Sequence, residues 1–98
     1  MKVEVSPTAQ RQILALAAWW RENRPSSRVR VGDALEAAVA AMAEHPGLGA
    51  TYSQDPRYRT WRLRGTPYVL FYRVDDSTET IWIVVAWSAL RGSGPDLP

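Results

Sequence analysis

Six arginines in the second half of the chain, Arg57, Arg59, Arg62, Arg64, Arg73 and Arg91, are the side chains best suited to chemistry. A guanidinium is planar and permanently charged, so it holds a phosphate or carboxylate through two parallel hydrogen bonds. The same permanence bars it from acting as a base. Groups able to move a proton are few. They are Lys2, the single histidine His45 beside Pro46, the tyrosines Tyr52, Tyr58, Tyr68 and Tyr72, and carboxylates such as Asp55; no Tyr, His or Lys follows Trp87. Tyr58, between Arg57 and Arg59, adds a ring that could stack on a base. A solvated basic face is the ordinary fate of such arginines, and eleven Arg among twelve basic residues also fits a GC-rich genome.

These residues need elements to position them. Lys2 to Val5 alternates polar and apolar, as a short strand does. Ser6-Pro7 then starts a helix, with Ser6 as N-cap and Pro7 in the first turn. Ile13, Leu16, Ala17 and Trp20 form its buried stripe, widened by Leu14 and Ala18, with Trp19 at the edge. The helix is expected to run to about Asn23, before Pro25. Ser26 and Ser27 are expected to cap a second helix whose buried face is Val31, Leu35, Ala38 and Met42. His45-Pro46-Gly47 ends it. Residues 48–58 read as a loop. Trp61 and Leu63 alternate with Arg62 and Arg64, a strand with one basic face. Tyr68 to Val74 and Ile81 to Trp87 read as a hairpin around Asp75-Asp76-Ser77-Thr78. On the second of these strands Trp82 opposes Ile81, Ile83 and Val85, which places it away from the helices.

The expected fold is α+β in the order β-α-α-β-β-β, a helical hairpin packed on one face of a mostly antiparallel four-stranded sheet. Residues 1–98 make one domain, with a short flexible tail from about residue 92. The other sheet face is left to solvent, loops or a partner. Without cysteine, disulfides and thiolate metal sites are excluded, and one histidine makes a zinc site a poor fit. The start of the chain lacks the apolar region of a signal peptide, and the longest apolar run is too short to span a bilayer, so the expected location is cytoplasmic. A net charge of +2 argues against a dedicated DNA-binding domain.

The stretches "AMAEHPGLG", "YRTWRLRGTPYVLFYRVD" and "IWIVVAWSALRG", in that order, resemble the RelE/ParE toxin superfamily of bacterial type II toxin–antitoxin modules. The resemblance spans about Val3 to Arg91, and the ending Trp87-Ser88-Ala89-Leu90-Arg91 looks more like the ParE branch. Ser88 stands where that branch often has His, and Leu90 where a second basic residue is common.

That resemblance implies one of two activities. RelE-like members are ribosome-dependent mRNA endonucleases, and ParE-like members are thought to inhibit DNA gyrase by binding. Cleavage through a 2′-OH needs a base, an acid and charge on the phosphate. This chain is rich only in the last, so the ParE-like reading is preferred over the enzyme. The resemblance then implies a toxin without metal or cofactor, neutralised by a cognate antitoxin. The antitoxin would fold on the toxin, with apolar anchors in a groove and acidic residues on the arginines. Target binding is assigned to Arg62, Arg64, Arg73, Trp87 and Arg91, and antitoxin binding to Trp19, Trp20 and Trp82. Two alternatives stay open: a ribosome-dependent endonuclease acting on mRNA, and a non-toxic interaction module of the same fold.

Overall fold

The computed structural model describes the whole chain, Met1–Pro98. Strand β1 (Lys2–Val5) passes directly into helix α1 (Pro7–Asn23). Ser6 caps that helix as its position predicts: its hydroxyl accepts from the Ala9 N–H at 3.1 Å. Ile13, Leu16, Ala17 and Trp20 pack on the core, and Ala9 is wholly buried where the helix closes on the sheet. Leu14 does not widen this stripe; it is 71% exposed.

Helix α2 (Val31–Glu44) buries Val31, Ala38 and Met42, with Ala34 and Leu35 packed beside them. Its start corrects the sequence reading. Neither Ser26 nor Ser27 caps it; Arg30 holds the N-cap position and makes no side-chain cap bond. Ser27 instead folds the loop, its hydroxyl accepting from the Val29 N–H at 3.1 Å. The Trp20 indole N–H donates to the Val29 carbonyl at 2.9 Å, tying the loop back to α1.

The sheet has five strands, not four. The added one is β2 (Ala50–Thr51), within residues read as loop, followed by β3 (Arg59–Arg62), β4 (Tyr68–Asp75) and β5 (Thr80–Ser88). Their order is β1-β5-β4-β3-β2; only the β1–β5 pairing is parallel. Strand β2 is held by partners remote in sequence. The Tyr72 hydroxyl accepts from the Gly49 N–H, and Arg59 Nη1 donates to the Gly49 carbonyl. β3 stops at Arg62, so Arg64 lies in a turn, closed by Thr66 N–H to the Leu63 carbonyl, and not on a strand face.

A bulge in β5 changes which residues face the helices. Phe71 pairs with Val85 but Tyr72 with Ile83, which leaves Val84 as the extra residue. Ile81, Ile83 and Ala86 therefore share the helix-side core with Tyr68, Leu70 and Tyr72. Val85, expected beside Ile83, lies on the opposite face. Beyond Val5 no strand covers that edge of β5, and α1 satisfies it instead. The Ser6 hydroxyl donates to the Val84 carbonyl at 3.1 Å, and Gln12 Oε1 accepts from the Ala86 N–H at 2.9 Å.

The second face is covered by the chain itself. Tyr58, Phe71, Val84 and Val85 form a smaller core there, packed by Tyr52, Val69, Trp82, Trp87 and Leu97. The residues after Gly92 carry no regular element, as expected, yet they fold back across this face. The Trp87 indole donates to the Ser93 carbonyl at 2.8 Å, and the Tyr58 hydroxyl donates to the Pro98 carbonyl.

Candidate functional site

The arginines assigned to target binding divide between two regions. Arg62 closes β3, and its Nε donates to the Thr66 carbonyl at 2.9 Å, turning it toward the strand end. Arg64 follows in the adjoining turn. Arg91 lies over the Trp87 ring at 4.3 Å, a cation–π contact just past β5. These four residues lie at the end of the sheet where β4 begins and β5 finishes. Arg73 stands apart from them. It pairs in register with Trp82, four residues along β4 from Val69, the partner of Arg62. That places it about 13 Å away along the strand. There it shares an open hollow with Arg57, Tyr58 and Trp82.

The tryptophans assigned to the antitoxin also differ from one another. Trp19 is 47% exposed at the end of α1. With Leu16, Pro67, Tyr68, Leu90 and Arg91 it lines a mostly apolar groove of about 280 Å³. Trp20 is half-buried: besides its bond to Val29 it packs edge-to-face on Tyr68, with ring centroids 5.9 Å apart. Trp82 faces away from the helices, as expected, but is half-buried in the smaller core. A second hollow, walled by Trp19, Trp20, Arg24, Arg62 and Leu90, adjoins the first and shares Trp19, Pro67 and Leu90 with it. Trp19, assigned to antitoxin binding, and Arg62 and Arg91, assigned to target binding, thus line one continuous groove.

Proton-transfer groups are absent from its walls, apart from one tyrosine. No His, Lys, Asp or Glu lines it, and Tyr68 is buried, which pushes its hydroxyl pKa up and makes it a weaker acid. The Tyr72 hydroxyl is engaged by Gly49 and Pro46, and that of Tyr52 donates to Gln54 Oε1. Tyr58, read as a ring free to stack on a base, is 2% exposed and belongs to the smaller core. Arg57 is held by Asp55 through two bonds, Nε at 3.0 Å and Nη2 at 2.7 Å, which keeps the Asp55 carboxyl below its usual range. His45 is exposed beside Glu44, at the far end of α2. No three His, Asp or Glu side chains converge on a metal site.

Four arginines outside the sequence assignment lie between α1 and α2: Arg24 is in the wall of this groove and, with Arg21 and Arg30, lines the neighbouring hollow, and Arg28 is exposed in the same loop. The string "RENRPSSRVR", residues 21–30, was the signal that could have found them.

Comparison with known proteins matches this geometry to a family. Residues 3–90 match the model of the ParE toxin of type II toxin–antitoxin systems. Toxin RelE3 of Caulobacter vibrioides is 33% identical over 72 residues, covering 74% of this chain and 78% of that toxin. Toxin RelE1 of the same organism is 29% identical, covering 91% and 94%. The fold is shared with the RelBE2 toxin–antitoxin complex of Mycobacterium tuberculosis, at a TM-score of 0.66 and 24% identity over 89% of this chain and 95% of that one. It is shared too with the chromosomal ParDE system of P. aeruginosa, at a TM-score of 0.63 and 20% identity, covering 90% and 95%. The chain belongs to the ParE toxin family, within the RelE/ParE superfamily of type II toxin–antitoxin toxins.

Proposed function

We propose that this toxin acts by binding and inhibiting DNA gyrase, without a hydrolytic site of its own, and that a cognate antitoxin neutralises it. The observation that carries this reading is the groove with cations and a half-exposed indole but no base. Phosphodiester cleavage needs both charge and proton transfer. Arg62, Arg64, Trp87 and Arg91 would dock on the target from one end of the sheet, and Arg73 from the second face. The antitoxin would seat apolar side chains against Leu16, Trp19 and Leu90 and place carboxylates on Arg62 and Arg91. Trp20 would support that groove from beneath, and Trp82 would meet a partner only at its exposed edge.

The test is a supercoiling assay with purified toxin and gyrase. Dose-dependent loss of supercoiling is expected, weakened at least tenfold by Arg62→Ala with Arg91→Ala. An endonuclease reading has its own support, since the curated relatives are named RelE toxins. Ribosome-dependent mRNA cleavage that Arg62→Ala abolishes, with gyrase unaffected, would replace the gyrase reading.

A further inference from the structure

The net charge of +2 conceals a polar distribution. Arg21 and Arg24 sit at the end of α1, and Arg28 and Arg30 in the loop before α2. The turn that carries Arg64, just after Arg62, lies against that loop. Gly65 approaches Val29 so closely that a Cβ there would meet Val29 Cγ2 at 2.8 Å. Six exposed guanidiniums therefore gather where two connections abut: Arg21, Arg24, Arg28 and Arg30 from the end of α1 to the start of α2, and Arg62 and Arg64 from the end of β3 into its turn, although about thirty residues separate the two groups in sequence. None of the six is ion-paired; the molecule's pairs are Lys2–Glu4, His45–Glu44 and Arg57–Asp55. A hollow of about 180 Å³ has Arg21, Arg24, Arg30 and Ser27 in its wall and no carboxylate. The acids Asp75, Asp76 and Glu79 lie at the β4–β5 connection, at the other end of the eight-residue strand β4, with Glu44 nearby; Glu22 and Asp33 are the acids at the basic end, and neither is ion-paired to the six.

This arrangement costs folding energy. Like charges repel, and Arg30 stands at the N-cap of α2, where the helix dipole favours an anion, although Asp33 in the first turn of α2 and Arg21 in the last turn of α1 suit their dipoles. Guanidiniums crowded together and left without ion pairs are what a surface kept for a ligand shows. We propose that this end of the molecule holds the phosphodiester backbone of duplex DNA. The guanidinium fork matches phosphate, and arginines that contact phosphates position a backbone without reading bases. A single strand would need a row of aromatic platforms. Only Trp19 is available, because Trp20 and Tyr68 are packed against each other. An acidic peptide would need exposed apolar anchors among the cations; Trp19 and Leu90 stand beside Arg24 and Arg62 in the groove, but neither lines the hollow of Arg21, Arg24 and Arg30. Binding of DNA here requires no gyrase, so this proposal and the inhibition reading fail by different experiments.

The test is fluorescence anisotropy with the full chain and a labelled mixed-sequence duplex of about 20 base pairs, over about 50 to 200 mM salt. Four or more phosphate contacts predict an affinity loss of at least about 100-fold across that range, a log–log slope steeper than about −3.5. Changing Arg21, Arg24, Arg28 and Arg30 together to Gln should flatten the slope by about 3 units. Lys2→Gln with Arg11→Gln, which also lowers the charge, should leave it unchanged. Near-ultraviolet circular dichroism checks that each variant keeps its fold. A wild-type slope shallower than about −2 would overturn the proposal. So would an unchanged slope in the quadruple variant, tighter binding to single-stranded RNA of equal length, or displacement by poly-glutamate as effective as by unlabelled duplex.

Discussion

At the scale of a single residue, Tyr72 ties three segments together through one oxygen. It is fully buried, accepts from the Gly49 N–H at 3.0 Å and donates to the Pro46 carbonyl at 2.9 Å. It thereby fixes the exit from α2 and the start of β2. Tyr72→Phe keeps the ring and removes the oxygen, leaving a buried donor and an acceptor unpaired. The expected cost is about 1–3 kcal/mol, read from urea unfolding, and a cost below about 0.5 kcal/mol would show that water replaces the hydroxyl. Burial is the main cause that raises the Tyr72 pKa. The folded chain therefore holds this proton more tightly than the unfolded chain. The stabilisation is complete below the ordinary tyrosine range, about pH 10, and is lost as pH rises through the folded value. None of this was legible in the run "YVLFYRVD", where Tyr72 reads as a strand residue with a hydroxyl able to move a proton and not as a tie between loops. A hydroxyl's partners 23 and 26 residues away leave no local mark.

At the scale of the element, the start of α1 and the hairpin turn were legible because their causes are local, whereas the start of α2, which has no side-chain cap, was not. Ser6-Pro7 carries its own capping chemistry, and Asp75 accepts from the Ser77 and Thr78 amides within its own turn. The β5 bulge was not legible. One extra valine in a uniformly apolar strand reverses the facing of everything after it without changing the composition. Two α1 side chains, Ser6 and Gln12, satisfy the edge of β5 beside that bulge. Gln12→Ala leaves the Ala86 N–H without its partner, next to the core. A loss of about 1 kcal/mol is expected by thermal or urea unfolding. Faster amide exchange should be confined to Ala86 and its neighbours; uniform protection in the variant would show that the bulge is held by strand pairing alone.

At the scale of the whole molecule, the order of elements apart from the two-residue β2 and their two layers were legible, since periodicity reports them. How the surfaces combine was not, because that depends on which loops meet. Trp19 and Leu90 come from the ends of α1 and β5, about seventy residues apart, and they meet over Leu16 and Tyr68 in the apolar groove. Leu90 is 78% exposed and Trp19 47%, so neither is needed to complete the core. An exposed pair of this size, bordered by Arg62 and Arg91, is the kind of surface that a partner's apolar anchors and acidic flanks would cover together. Trp19→Ser with Leu90→Ser should therefore change folding stability by less than about 0.5 kcal/mol. The same variant should weaken antitoxin binding by at least about tenfold in calorimetric titration, the loss expected on truncating an interface hot spot. Equal loss of stability and affinity would assign the pair to the fold. Unchanged affinity would move the antitoxin to the second sheet face, where Trp82 and Arg73 lie.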